Sequence, residues 1–318
     1  MDELNLFEEK TIYSLKNEND ERHIGEYFQV IHFNDAYYLY YNRENTIQLV
    51  TSKTFDFVDV WPCTVIEEAP GGSFCIIEDN NKLYMLCGGH ISNKEEGELD
   101  LPDLVWPEEK RTVLDPNISR DDRKNGMYLL ESEDGVKWNK VSTKPVLHGL
   151  VDSYSCPLGS VGFDTSPCLL KHDDEFYYYG RLNTSLDERG IYMRKSKDLS
   201  NWSPPEKVII NNDGDNHLRK NYYIPVVFKK GDIFYILCPF FACCGTVNRN
   251  CGGGKTLLLR SNNGVSWDII RYCLPHDGKY QDRINDVIVD KDSLYLFFRK
   301  NLLESKQELV YHKAQNDF

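Results

Sequence analysis

One alternation of hydrophobic and polar positions recurs along the chain. An apolar strand, a short turn rich in Asp, Asn, Lys or Gly, and a strand crowded with aromatics follow one another five times. The copies are FQVIHFNDAYYLYYN (28–42), SFCIIEDNNKLYMLCG (73–88), SPCLLKHDDEFYYYGR (166–181), PVVFKKGDIFYILCPFF (225–241) and NDVIVDKDSLYLFFRK (285–300). Turn chemistry between β-branched and aromatic arms predicts a β-hairpin in each.

A second element follows the hairpins. GMYLLESEDGVKWNKV (126–141), GIYMRKSKDLSNWSPPEKV (190–208) and TLLLRSNNGVSWDII (256–270) share a Ser, a tight turn and a Trp. Ser132, Ser196 and Ser261 are 64 and 65 residues apart, and Trp138, Trp202 and Trp267 keep that spacing. TIQLVTSKTFDF (46–57) is a weaker copy, and ELVYHK (308–313) follows the fifth hairpin without a clear fourth strand. Each unit therefore reads as four antiparallel strands. A single such sheet cannot bury both faces, whereas repeats stacked around an axis can. The expectation is an all-β, five-bladed β-propeller with four-stranded antiparallel blades around a central funnel. It forms one domain over residues 1–318, with KTIYSL (10–15) supplying a closing strand and 88–125 an insertion. A two-domain β-sandwich is the competing architecture.

Composition narrows the partners. Lys+Arg 37 against Asp+Glu 50 gives a formal net charge of -13, a field that repels phosphate backbones and anionic lipid, so neither nucleic acid nor membrane is expected as a partner. No apolar run approaches the ~20 residues of a membrane span. The opening MDELNLFEEK is neither basic nor apolar, which predicts a chain without a cleaved leader, soluble and cytoplasmic. The ten cysteines lie scattered without a C-x-x-C pair. Several sit in apolar runs, where Cys packs as a small hydrophobe. Cys243, Cys244 and Cys251 have no His to complete a zinc set, so neither metal nor other cofactor is expected. CGGGKT (251–256) lacks the first Gly of a phosphate loop and leads into a strand, which removes nucleotide binding.

The hairpins and the S-x-D-G-x-x-W elements, above all FDTSPCLLKHDDEFYYYGR and SKDLSNWSPPEKV, resemble the glycoside hydrolase clan of arabinanases, β-xylosidases, invertases and levansucrases. The resemblance extends over roughly residues 20–315 and is nearest to divergent, hydrolase-like members of that clan. It implies catalytic carboxylates where the innermost strands begin, facing the funnel. Invertase-type chains carry the nucleophilic Asp about eleven residues before the aromatic strand; that count from Tyr37 reaches Glu26. The same count in the other hairpins reaches Gly72, Thr165, Tyr223 and Arg283. One residue of slack brings in Asp164 of FDTSP, matching the clan's transition-state-stabilising Asp. Asp164 and Glu26 are the catalytic candidates, with a turn-capping Asp the alternative at 164.

The fourth unit departs from the clan. Its general-acid Glu precedes a Pro, but here the run is Tyr223-Ile224-Pro225. A phenol with a reference pKa near ~10 is a poorer proton donor than a carboxyl near ~4.3. The upstream run NNDGDNHLRKNYY offers Asp213, Asp215, His217 and Arg219 as replacements. His217, Arg219, Arg283 and Asp286 join Tyr223 as candidate substrate contacts, a strand cap being the alternative for Asp286. Trp61 and Trp106 are candidates for stacking on sugar faces or for anchoring loops. Three functions stay open: a glycoside hydrolase acting on a sugar or oligosaccharide, a carbohydrate-binding propeller that has lost its acid, and a glycoside phosphorylase. The last needs clustered basic residues, for which Arg181, Arg194, Arg219 and Arg283 are available.

Overall fold

A computed structural model describes residues 6–15, 27–43, 46–57, 60–67, 73–89, 126–141, 145–148, 160–161, 166–185, 188–211, 219–222, 225–243, 255–275, 283–291, 293–300 and 307–315. Among them every regular element is a strand. β1 (Leu6–Leu15) precedes the first unit, which is β2 (Phe28–Phe33), β3 (Ala36–Arg43), β4 (Thr46–Ser52) and β5 (Cys63–Ile66). The second is β6 (Ser73–Asp79), β7 (Lys82–Gly89) and β8 (Gly126–Ser132), with short β9 (Asn139–Lys140) and β10 (Leu147–His148). The third is β11 (Ser160–Val161), β12 (Cys168–His172), β13 (Glu175–Ser185), β14 (Glu188–Ser196) and β15 (Glu206–Lys207). β16 (Ile209–Asn211) and β17 (Arg219–Tyr222) lead to the fourth, made of β18 (Val226–Lys230), β19 (Ile233–Cys243), β20 (Lys255–Ser261) and β21 (Ser266–Pro275). The last is β22 (Arg283–Asp290), β23 (Ser293–Lys300) and β24 (Gln307–Gln315).

Each expected hairpin is present, and its turn residues explain it. Asn34 and Asp35, like Asn80 and Asn81, have positive φ at both central positions, the backbone whose twist matches paired strands and which Asn and Asp tolerate. β1 pairs antiparallel with β24, so the outer strand of the last unit comes from the opposite end of the chain.

The strands form four sheets rather than five separate ones. The third and fourth units share an 11-stranded sheet, for two local reasons. β16, leaving the third unit, pairs in parallel with β21 of the fourth. β17 pairs with both β14 and β19, the former through the single match Arg189↔Asn221.

The apolar core lies between units. Tyr40 and Leu49 pack with Phe74 and Met85 of the second unit, and Leu86 and Leu129 with Tyr178 and Tyr192 of the third. Tyr179 and Ile191 pack with Phe234 and Trp267 of the fourth, and Phe228 and Leu258 with Leu296 and Val310 of the fifth. Phe297 and Leu309 then pack back on Leu39 and Val50 of the first, with Ile12 and Tyr13 from β1. Both faces of every hairpin are thus buried, which accounts for aromatics at consecutive positions where a one-sided sheet would alternate.

The Ser-to-Trp elements are clamps on these contacts. Ser261 Oγ accepts the N–H of Gly264 at 2.9 Å, and Asn263 Oδ1 accepts those of Val265 and Ser266. Ser132 and Asp134 repeat the pattern around Gly135, and Ser196 and Asp198 form a close variant with Leu199 at positive φ. The buried turn carbonyl reaches the preceding unit: Tyr40 donates to Gly135 O at 2.7 Å and Tyr179 to Gly264 O at 3.1 Å.

Candidate functional site

The first strands of the hairpins, β2, β6, β12, β18 and β22, touch in cyclic order, each against the next and the last against the first. Their ladders reveal a level at which the pairing is interrupted. In β22, Ile284 pairs with Phe298 and Asp286 with Phe297, so Asn285 is an extra residue. Along β19, Tyr222 pairs with Phe240 and Val226 with Leu237, so the chain counts three residues between these matches where β19 counts two. Along β13, Val161 pairs with Leu182 and Cys168 with Tyr179, so the chain counts six residues between these matches where β13 counts two. β2 and β6 run without such a shift. Extra residues bend a strand and re-aim its side chains, and they concentrate beside functional sites.

Buried polar side chains gather on the same hairpin levels. Arg181 is 7% exposed, and Asn285 is 6% exposed. Arg299, paired with Arg283, is 5% exposed. Arg181, Arg299 and Asn42 occupy equivalent places in the second strands of their hairpins, two residues past Tyr179, Phe297 and Tyr40. In the first unit, Asn42 Oδ1 accepts the Tyr27 N–H at 2.8 Å while Asn42 N–H donates to Tyr27 O at 3.1 Å, holding the chain as it enters β2. Enclosing a guanidinium costs several kcal/mol unless charge or hydrogen bonds offset it, so Arg181 and Arg299 mark polar ground inside a largely apolar hairpin set.

Of the residues expected from the sequence, Glu26, Asp164, His217 and Tyr223 lie outside the described residues. In chain position, Glu26 immediately precedes Tyr27, Asp164 falls between β11 and β12, and Tyr223 between β17 and β18. Arg219 and Arg283 are the first residues of β17 and β22. Asp286 is fully described. Its Oδ2 accepts the N–H of Val30 on β2 at 2.6 Å, and its Oδ1 accepts the N–H of Val287 at 2.9 Å. Desolvation pushes its carboxyl up to about 7, against the opposing pull of those two N–H donors.

Asn285 was not singled out from the sequence; the extra residue before DVIV is the signal that would have found it. Trp61 is 68% exposed, in the segment between β4 and β5. Cys75, Cys87 and Cys238 are buried free thiols. Among the described residues no three His, Cys, Asp or Glu side chains gather as a metal site, and no helix is long and apolar enough to cross a membrane.

No family model and no curated protein matches the sequence. Solved structures do match in shape. A GH43_1 enzyme from Xanthomonas citri aligns with a TM-score of 0.58 at 10% identity, over 92% of this chain and 88% of that one. An N-acetylgalactosamine deacetylase from F. plautii, in complex with blood group B trisaccharide, gives 0.57 at 13% identity over 98% and 95%. The GH32 β-fructofuranosidase BmSUC1 from Bombyx mori gives 0.55 at 15% identity over 94% of this chain, which spans 59% of that enzyme's length. Likeness at these identities shows the fold: the chain has the β-propeller of glycoside hydrolases of the GH32 and GH43 kind.

Proposed function

We propose that the chain is a five-bladed propeller working as a glycoside hydrolase, with a sugar or oligosaccharide held in the central funnel. The observation that carries this reading is the interrupted level of the inner strands. Asn285 interrupts the ladder of β22, and by chain position Asp164 and Tyr223 fall in the segments that lead into β12 and β18. Cyclic packing of five units supports the blade count, the shared sheet being two blades joined at their rims.

In this reading Asp164 and Glu26 are the two carboxylates that flank an oxocarbenium-like transition state. Tyr223, His217, Arg219 and Arg283 contact the sugar. For Asp286 the strand-capping alternative is favoured over a sugar contact, its oxygens accepting the N–H groups of Val30 and Val287. A carbohydrate-binding propeller is the second reading, favoured by a Tyr where the clan places its acid. The same fold serves different sugar chemistry, and the F. plautii structure is by its description a deacetylase.

Activated aryl glycosides leave without a proton, whereas natural oligosaccharides need one. An enzyme with its nucleophile but a weak acid cleaves the first fast and the second slowly. Asp164→Asn removes charge and keeps shape, so turnover of the aryl glycoside falls at least about a hundredfold while the melting temperature stays put. A binding module cleaves neither substrate yet gains thermal stability with sugar. Absence of both turnover and sugar-dependent stabilisation over a broad panel refutes both readings; unfolding by Asp164→Asn refutes its catalytic role.

A further inference from the structure

Numbered back from the hairpin turn, the fifth residues of the five inner strands are Gln29, Cys75, Cys168, Val226 and Asp286. Three of them clasp the fourth residue of the next inner strand. Gln29 Nε2 donates to Ile76 O at 2.9 Å, and Ile76 N–H donates back to Gln29 Oε1 at 2.8 Å. Cys168 Sγ donates to Val227 O and accepts Val227 N–H, both at 3.4 Å. Asp286 makes the third clasp, on Val30, at the seam where the last unit meets the first.

The two other clasps are two-way because an amide and a thiol each hold a donor and an acceptor. An ionised carboxylate only accepts. A carboxylic acid has both, and matches the amide of Gln29 in shape and bonding.

We propose that Asp286 is a proton-operated latch on the closing seam. As the neutral acid it holds both the N–H and the C=O of Val30, as Gln29 holds Ile76; on ionisation it releases its proton to solvent and keeps the N–H alone.

The enclosure of the carboxyl favours the neutral form, and its titration is pushed up to about 7, chiefly by desolvation. Among the described side chains, the titratable and charged groups on strands packed against β22 are His32 on β2, Lys229 and Lys230 on β18, Tyr235 and Cys238 on β19, and Tyr295, Arg299 and Lys300 on β23, with Asp290 on β22 itself. Lys229 engages His172, and Lys300 engages Glu9. The thiol coupled to Asp286 is Cys168, itself pushed up to about 12 mainly by burial. It is neutral wherever Asp286 titrates. Because the folded acid titrates above its ordinary 3.8, the folded state binds the extra proton. Its stability contribution therefore falls as pH rises from about 4 to about 7 and is flat above.

The backbone carbonyl 13C shift of Val30 tests this, referenced to the carbonyls of Ile76 and Val227. Between pH 5 and 8 the Val30 shift is expected to move with a midpoint near 7, while both references stay flat. A Val30 shift that stays flat overturns the latch. Asp286→Asn supplies a permanent donor and acceptor, so its Val30 carbonyl shift is expected to stay constant over that range. An Asn variant that keeps the wild-type pH response also overturns it. Should that variant fail to fold, the wild-type titration decides alone.

Discussion

Gly264 is the position where backbone and packing demands coincide most tightly. Its φ is +76°, its N–H is held by Ser261, and its carbonyl accepts from both Trp267 Nε1 and Tyr179 OH. A Cβ added there meets the Tyr179 hydroxyl at 2.6 Å. For Gly264→Ala, the left-handed backbone costs about 1–2 kcal/mol, and forcing a methyl into filled space costs about 1–3 kcal/mol. Together they give about 2–5 kcal/mol, a fall in Tm of about 3–7 °C for a chain of this size. Gly231 separates the two causes, since it has φ +58° and nothing within 4 Å of its added Cβ. Gly231→Ala is therefore expected to cost only the backbone share. In a Tyr179→Phe background the obstructing oxygen is gone, and Gly264→Ala becomes cheaper by about 1–2 kcal/mol. Urea unfolding of the four variants and wild type gives the double-mutant cycle. Equal costs at 231 and 264, or strict additivity with Tyr179→Phe, refute the packing account of the clamp.

Two further outcomes follow from burial. Ile12 is enclosed on β1 against the first and last units, so Ile12→Ala is expected to cost about 2–5 kcal/mol in the same unfolding assay; an unchanged midpoint means that β1 does not close the ring in solution. Native thiol labelling read by peptide mass spectrometry is expected to modify exposed Cys63 well before buried Cys75, Cys87 and Cys238. Burial drives the Cys87 thiol up to about 12 and so suppresses its reactive thiolate. Equal labelling rates at Cys63 and Cys87 refute this packing.

The hairpins were legible because each turn needs a special backbone and each arm is buried on both faces, so Asn34-Asp35 or Asn80-Asn81 between aromatic runs admits few other folds. The Ser-to-Trp turns were legible for the same local reason. Their following strands were less so: Trp267 lies in the ten-residue β21, whereas Trp202 makes only an isolated bridge to Ser196. Counting back from the aromatic strand assumes an unbroken ladder. In β22 the ladder breaks at Asn285, before that count reaches Arg283. That Asp286 would meet the backbone of Val30 was not legible, because nothing local in NDVIV tells which backbone arrives opposite it. Val30 lies 256 positions away, and only the closed arrangement of units brings it there. The sharing of a sheet by the third and fourth units was hidden for the same reason, since it rests on single long-range matches such as Arg189↔Asn221.

The pairing of β1 with β24 carries a kinetic consequence. Leu6 meets Ala314, so the last seam joins segments about 300 positions apart, and closing such a loop from a flexible chain costs on the order of 5 kcal/mol in entropy. During synthesis the first unit emerges with one apolar face whose partners, Phe297, Leu309 and Tyr311, have not yet been made. Until they arrive, that face and the unpaired edge of β1 are open to any other chain nearby, and a second copy of the protein offers an equally good β24. Folding of this ring is thus expected to be slow, to finish only after the last strand is released, and to compete with exchange of β1 between molecules at high concentration.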